Sequence, residues 1–178
     1  MLFRSAWLLP VVVAVLVVVA PESFVNRLTS TFNAQDPSNQ DRFAMIEIGA
    51  RMIKDHPLAG VGPNMVPRLY EQYRPDYAIN KVNPHLHNVP LQIAAERGLP
   101  ALAIWLWLIV SLTAALFRLF RSQPDKVLSA TGLAAVAAML AAGLFEYNFG
   151  DSEFLMLFLV LVTLPFAGTN GAAVPDRA

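Results

Sequence analysis

Four stretches of this 178-residue chain carry no charged side chain: Ser5–Pro21, Leu99–Phe117, Val127–Phe145 and Phe154–Pro175. A helix that crosses a bilayer needs about 20 mostly apolar residues, because nothing in the hydrocarbon can satisfy a stray backbone N–H or C=O. The second and third stretches meet that length. The first reaches it only if the apolar residues flanking Arg4 and Glu22 join in. In the fourth the apolar part is Phe154–Ala167, and Pro165 is expected to end or kink it. The expected fold is therefore all-α integral membrane, with about four transmembrane helices at residues 1–22, 99–120, 127–145 and 154–167. The first stretch has a second reading as a cleaved signal peptide, with Val18 and Ala20 as the cleavage pair; Pro21 directly after the cut argues against it.

Composition points the same way: 56% of residues are hydrophobic and 15% charged, against about 45–50% and 25% in soluble domains. Absence of cysteine excludes a disulfide framework and any thiolate chemistry. Thirteen basic and thirteen acidic residues cancel, which argues against a nucleic-acid partner. Position matters more than the sum. The connection at residues 121–126, with Arg118 beside it, holds Arg121 and Lys126 against Asp125. The connection at residues 146–153 holds Glu146, Asp151 and Glu153 and no base. Short basic loops stay inside, so the first connection faces the cytoplasm and the second faces out. Both termini are then cytoplasmic, in agreement with Arg4 and with Arg177 in the tail at residues 168–178. Residues 23–98 form a long extracytoplasmic loop.

That loop carries the candidate chemistry. Thr29–Gln40 has loop composition. Ser38 and Asp41 offer an S-x-x-D start signal for a helix from Arg42 to about Lys54. At about 100° per residue, Ile46, Gly49, Ala50 and Ile53 share one face, while Glu47, Arg51, Lys54 and Asp55 share the other. Arg42 projects with the apolar set. Either it has an anionic partner, since an unpaired buried cation is costly, or it snorkels from the first turn to water.

His56-Pro57-Leu58-Ala59-Gly60-Val61-Gly62 ends this helix. Its glycines read as a tight turn, with an anion-binding nest as the sharper alternative. A short second helix from Asn64 to about Arg74 carries Arg68, Tyr70, Tyr73 and Arg74. That mixture suits a sugar or phosphate ligand and suits a membrane interface equally. Next comes Asn83-Pro84-His85-Leu86-His87-Asn88. Histidines at i and i+2 point the same way only on an extended chain. There they could ligate a metal, but no third ligand cluster is evident, and no metal is expected. Asn88 and Pro90 read as the start of a helix that runs to Arg97 and stops at Gly98. His87 just ahead of it is either a loop histidine bonded to backbone or a general base, imidazole being suited to proton abstraction near neutrality. Among the outer acids Glu146, Asp151 and Glu153, one could orient that histidine; otherwise they form an ordinary solvated hairpin.

The ordered pair of motifs, His56-Pro57-Leu58-Ala59-Gly60-Val61-Gly62 and then His87-Asn88, Leu91-Gln92 and Gly98-Leu99-Pro100, preceded by Arg42, resembles the C-terminal half of the O-antigen ligase and O-antigen polymerase-like family of bacterial envelope glycosyltransferases. The resemblance covers roughly residues 41–112. It implies a metal-independent, cofactor-free enzyme that moves a glycan from an undecaprenyl-diphosphate carrier to an acceptor hydroxyl, on a glycan or on lipid A core, at the outer face of the inner membrane. His87 matches the histidine of the "HN" motif and would be the base. Arg42 matches the arginine that holds the donor diphosphate, a task suited to a planar, permanently charged fork. His85, Asn88, Arg68 and Gln92 are the accompanying candidates for substrate binding. Members of that family are usually longer, so the resemblance also implies a larger chain or assembly, in which a second polypeptide could supply further transmembrane helices. Besides membrane lipids, a lipid-linked glycan or a partner subunit would be the ligand if the chain were instead a non-catalytic membrane module.

Overall fold

The computed structural model describes residue 33 and residues 35–170. The span expected at residues 1–22 and its cleavage pair lie outside the described residues. The chain divides into two compact units, residues 1–41 and 42–178, and the packing described below is that of the second. Among the described residues five α-helices follow one another: α1 Pro37–Asp55, α2 Val66–Tyr73, α3 Val89–Ser122, α4 Val127–Gly143 and α5 Ser152–Asn170, with a 3-10 turn at Asn148–Gly150 ahead of the last. The described residues are thus all-helical, as the charge-free stretches imply.

Helix α1 begins earlier than the S-x-x-D signal places it. The Asp36 carboxylate accepts from the Ser38 amide at 2.9 Å, and Pro37 is the first helical residue. An acidic cap followed by proline is a stronger start, because proline has no N–H to leave unsatisfied. The buried face also differs from the expected one. Ala44, Met45, Ile48 and Met52 are buried, whereas Ile46 is 52% exposed. The 100° wheel selected the stripe with the most branched residues, but methionines one position away fill the core. Glu47 and Arg51 pair on the wet side, as the wheel predicts for that face, and the Tyr77 hydroxyl donates to Glu47 at 2.6 Å.

Met45, Ile48 and Met52 pack with Val66 and Tyr70 of α2, with Leu86, and with Ala95 of α3. A second core joins the long helix to α4 and α5 through Trp105, Ile109, Leu116, Val136, Met139, Phe158 and Val162. Helix α3 takes part in both and is long and apolar enough to cross a membrane. Its outward side chains Ile104, Trp107 and Val110 are at least 66% exposed, as lipid-facing positions should be. Helices α4 and α5 are apolar but shorter. Pro165 does not end α5, which continues to Asn170. Gly132 of α4 lies against it, since a Cβ there would be 3.3 Å from the Pro165 ring.

The expected stop at Gly98 is a kink within α3, where φ is 82° and ψ 169°. A kink exposes backbone groups that must find partners. In an unbroken helix the Ala95 carbonyl would accept from Leu99, and the Glu96 carbonyl from residue 100, which is proline and has no N–H. Here the Val61 and Gly62 amides donate to Ala95 and Glu96 at 2.8 and 3.0 Å, and the Leu99 amide donates to Pro57 at 2.8 Å. The Gly60-Val61-Gly62 turn is therefore the complement of the kink. Its amides are committed to protein carbonyls, which disposes of the anion-nest alternative. Contact is so close that a Cβ on Gly60 would collide with the backbone of Glu96 and Arg97, and one on Gly98 with the Leu58 carbonyl.

Glu96 is 2% exposed. Burial pushes its pKa up, while the Val66 and Asn64 amides at the start of α2, Arg97 and Gln92 pull it the other way without prevailing. An acid whose folded pKa is raised stabilises the fold most below the unfolded pKa, and that contribution declines as pH rises through the folded one.

Two outcomes are expected from melting curves in detergent. Gly98→Ala and Gly60→Ala should each lose about 1–3 kcal/mol or more, because both place a side chain at positive φ and against backbone; an unchanged melting temperature would contradict the interlock. Glu96→Gln should flatten the decline in stability as pH rises from the acidic side, and an identical pH profile would contradict the raised pKa.

Candidate functional site

The site is assembled where the loop ahead of α3 meets the hairpin between α4 and α5. Three hydrogen bonds of Asn88 and Gln92 hold the end of the loop next to α3. Asn88 caps α3, its side-chain oxygen accepting from the Leu91 amide at 2.9 Å, and its amide group donates to the Leu144 carbonyl at 3.1 Å. Gln92, 2% exposed, accepts from the Leu86 amide at 2.7 Å. The motif His87-Asn88-x-x-Leu91-Gln92 thus fastens the loop at both ends, to its own helix and to the hairpin. His87 is left with φ of 47°, a left-handed conformation that residues with a side chain adopt rarely.

On the other side, the Asp151 carboxylate accepts from the Glu153 and Phe154 amides and so caps α5. Asn148 is buried and donates to the Met139 carbonyl at 3.3 Å. Phe149 stands edge-on to Trp105 of α3, with ring centroids 5.8 Å apart. These contacts hold the hairpin with Glu146 toward the histidines.

Nδ1 of His87 lies 3.0 Å from Oε2 of Glu146, and Nδ1 of His85 lies 3.5 Å from Oε1. The two imidazole rings stand 4.2 Å apart, edge to face. They meet although His87 is not extended, so the i, i+2 expectation is met in outcome by a different backbone route. Burial, then the neighbouring His87, push the His85 pKa down against the pull of Glu146. For Glu146, burial raises the pKa, but the Tyr147 amide and both histidines together bring it below the usual carboxylate value. An ionised carboxylate only accepts hydrogen bonds. His87 in its neutral form must therefore carry its proton on Nδ1 and present Nε2 as the basic nitrogen. Of the three acids at residues 146–153, then, Glu146 is the one beside the histidine, and Asp151 serves as a helix cap.

Arg42 is exposed near the start of α1, with its Cζ 5.8 Å from the centroid of the Phe145 ring. Arg42 and His87 thus engage consecutive residues of one hairpin, Phe145 and Glu146. Of the two expectations for Arg42, the one that brings it to water is the one seen; a cation over an aromatic face at a water-accessible surface is a mildly favourable arrangement in itself. Arg68 is exposed on α2 and shares none of the contacts that join His85, His87 and Glu146. A cavity of about 590 Å³ opens beside the site, lined by His85, Glu146, Tyr147, Asn148, Asp151 and Phe154 among others.

An all-helical fold with a membrane-length apolar helix points to a membrane protein, with a histidine–carboxylate pair set beside the start of that helix. The family model described as O-antigen ligase matches residues 1–106, more than half of the chain, and the chain belongs to that family. No curated protein shows significant similarity to it. The family's work is O-antigen ligase- or polymerase-like glycosyl transfer in the cell envelope, with a lipid-linked glycan and a glycan acceptor as its general substrates. The matched region includes Arg42, His87 and the interlocked glycines, while Glu146 lies beyond it.

Nitrogen-15 NMR of the imidazoles should show His87 as the Nδ1–H tautomer, and Glu146→Ala should redistribute it toward Nε2–H. A tautomer indifferent to that change would contradict the pairing. Asn88→Ala should cost about 1–2 kcal/mol through the lost cap, read as a lower melting temperature in detergent.

Proposed function

We propose that this chain transfers a glycan from an undecaprenyl-diphosphate carrier to an acceptor hydroxyl at the outer face of the bacterial inner membrane. In this reading four helices span the membrane. Residues 23–98 and 146–153 lie outside, both termini lie in the cytoplasm, and a second polypeptide or a larger chain supplies the remaining spans. The observation that carries it is the 3.0 Å contact between His87 and Glu146, which leaves Nε2 of His87 as the base.

In the reaction Nε2 of His87 takes the proton of the acceptor hydroxyl, on a glycan or on lipid A core. The acceptor oxygen forms a bond to the anomeric carbon, and the bond from that carbon to the carrier diphosphate breaks, its electron pair leaving with the diphosphate. Arg42 offsets the charge that grows on the leaving group. Glu146 holds the imidazole's tautomer and stabilises the imidazolium, as a positioning residue. Asn88 and Gln92 act through the loop they fasten. His85 and Arg68 contribute to binding the sugar and phosphate portions. No cofactor or metal enters these steps.

The test is glycan transfer in membranes of a strain lacking its own ligase or polymerase, carrying this protein at matched expression. His87→Ala should lower transfer by about 10² or more, the usual worth of a general base. Arg42→Ala should lower it by about 10², and Arg42→Lys should recover only part of that, a point charge replacing a fork. Undiminished transfer in both alanine variants would contradict the assignment.

A further inference from the structure

We propose that His85, His87 and Glu146 together form a binding site for a divalent transition-metal ion of the zinc class. The sequence offered two histidines and lacked a third ligand; the fold brings one from a hairpin about sixty positions along. One ligand atom from each of the three residues falls within a group whose members all lie within 4.8 Å of one another. Zinc holds nitrogen and oxygen ligands at about 2.0–2.1 Å in a tetrahedron, which puts ligand atoms about 3.4 Å apart. Each histidine Nδ1 faces its own oxygen of Glu146, at 3.0 and 3.5 Å, close to that spacing, and the set contracts from a spread of up to 4.8 Å to close around an ion.

A second observation concerns His85 alone. Its Nδ1 is fully buried and lacks a hydrogen-bond partner, although it faces Glu146 at 3.5 Å. A buried polar atom without a partner is costly and calls for an explanation, a bound ion being one. A nitrogen already stripped of water and aimed at a carboxylate is a ligand in waiting. The ligand set also selects among ions. Two imidazoles suit zinc, copper or nickel, whereas magnesium and calcium require shells of oxygen. Glu146 keeps the Tyr147 amide as an outer hydrogen bond at 2.9 Å, the kind of support that orients a ligating carboxylate. The 590 Å³ cavity lined by His85 and Glu146 can supply water as a fourth ligand. Ligation moves the His87 proton from Nδ1 to Nε2, so the ion and the base role exclude one another. The inference stands on the cluster's geometry and does not depend on the transfer reading.

The experiment is calorimetric titration of the full chain, purified in detergent without a histidine tag, with Zn²⁺, alongside Co²⁺ titration followed by visible absorption. One Zn²⁺ per chain is expected, with the intense absorption of a tetrahedral site for Co²⁺. His85→Ala and Glu146→Gln should each weaken binding by at least about tenfold. His56→Ala, which changes the exposed third histidine, should not. His85→Gln, checked for native circular dichroism, replaces the alanine variant if that one fails to fold. Absence of saturable Zn²⁺ binding, or equal affinity in all variants, overturns the proposal whatever the transfer assay shows.

Discussion

The kink at Gly98 is the constraint on which the rest of the molecule depends. A helix entering a membrane cannot leave carbonyls unsatisfied where it bends, and proline at residue 100 guarantees that at least one is left over. The Gly60-Val61-Gly62 turn meets that demand with its amides. In doing so it draws α1 and α2 onto the first turns of α3. The core of Met45, Ile48, Met52, Val66 and Tyr70 then has a fixed place relative to the first turns of α3. Two motifs that look like separate signatures in the chain are two halves of one backbone contact.

The site follows from that anchoring. The loop carrying His85 and His87 hangs from the start of α3 by Asn88 and Gln92, so its position is inherited from the helix. The hairpin carrying Glu146 is set by different forces, the Asp151 cap and the Trp105–Phe149 contact. Asn88 bridges the two by bonding Leu144. A histidine and a carboxylate distant in sequence are thus brought to hydrogen-bonding distance by elements that each have independent structural reasons to be where they are. Such preorganisation is what a general base requires.

Much of this was legible beforehand, and the limits have physical causes. The apolar stretches located α3, α4 and α5 because charge exclusion by a membrane is a strong signal. Asn88 at the start of α3 and the break at Gly98 were readable from cap and glycine chemistry. The buried face of α1 was misread because a periodic wheel weighs Ile46 and Ile53 above Met45 and Met52, while packing does not. The start of α1 was placed late because Asp36-Pro37 sits inside a stretch of loop-like composition. The position of Arg42 on the apolar side of the wheel leaves open a partner or water, and only the fold shows it at the surface over Phe145. Glu146 could be named only as one of three acids, since which of them meets His87 depends on the turn at Asn148–Gly150. That third ligand was equally invisible to a reading of local spacing.

In the proposed transfer Glu146 acts through His87. A double-mutant cycle on glycan transfer tests it most directly, comparing His87→Ala, Glu146→Gln and the double variant at matched expression. If the carboxylate works only by orienting the imidazole, the double variant should transfer no more slowly than His87→Ala alone, and Glu146→Asp should recover part of the loss in Glu146→Gln. Fully multiplicative losses in the double variant would contradict the account.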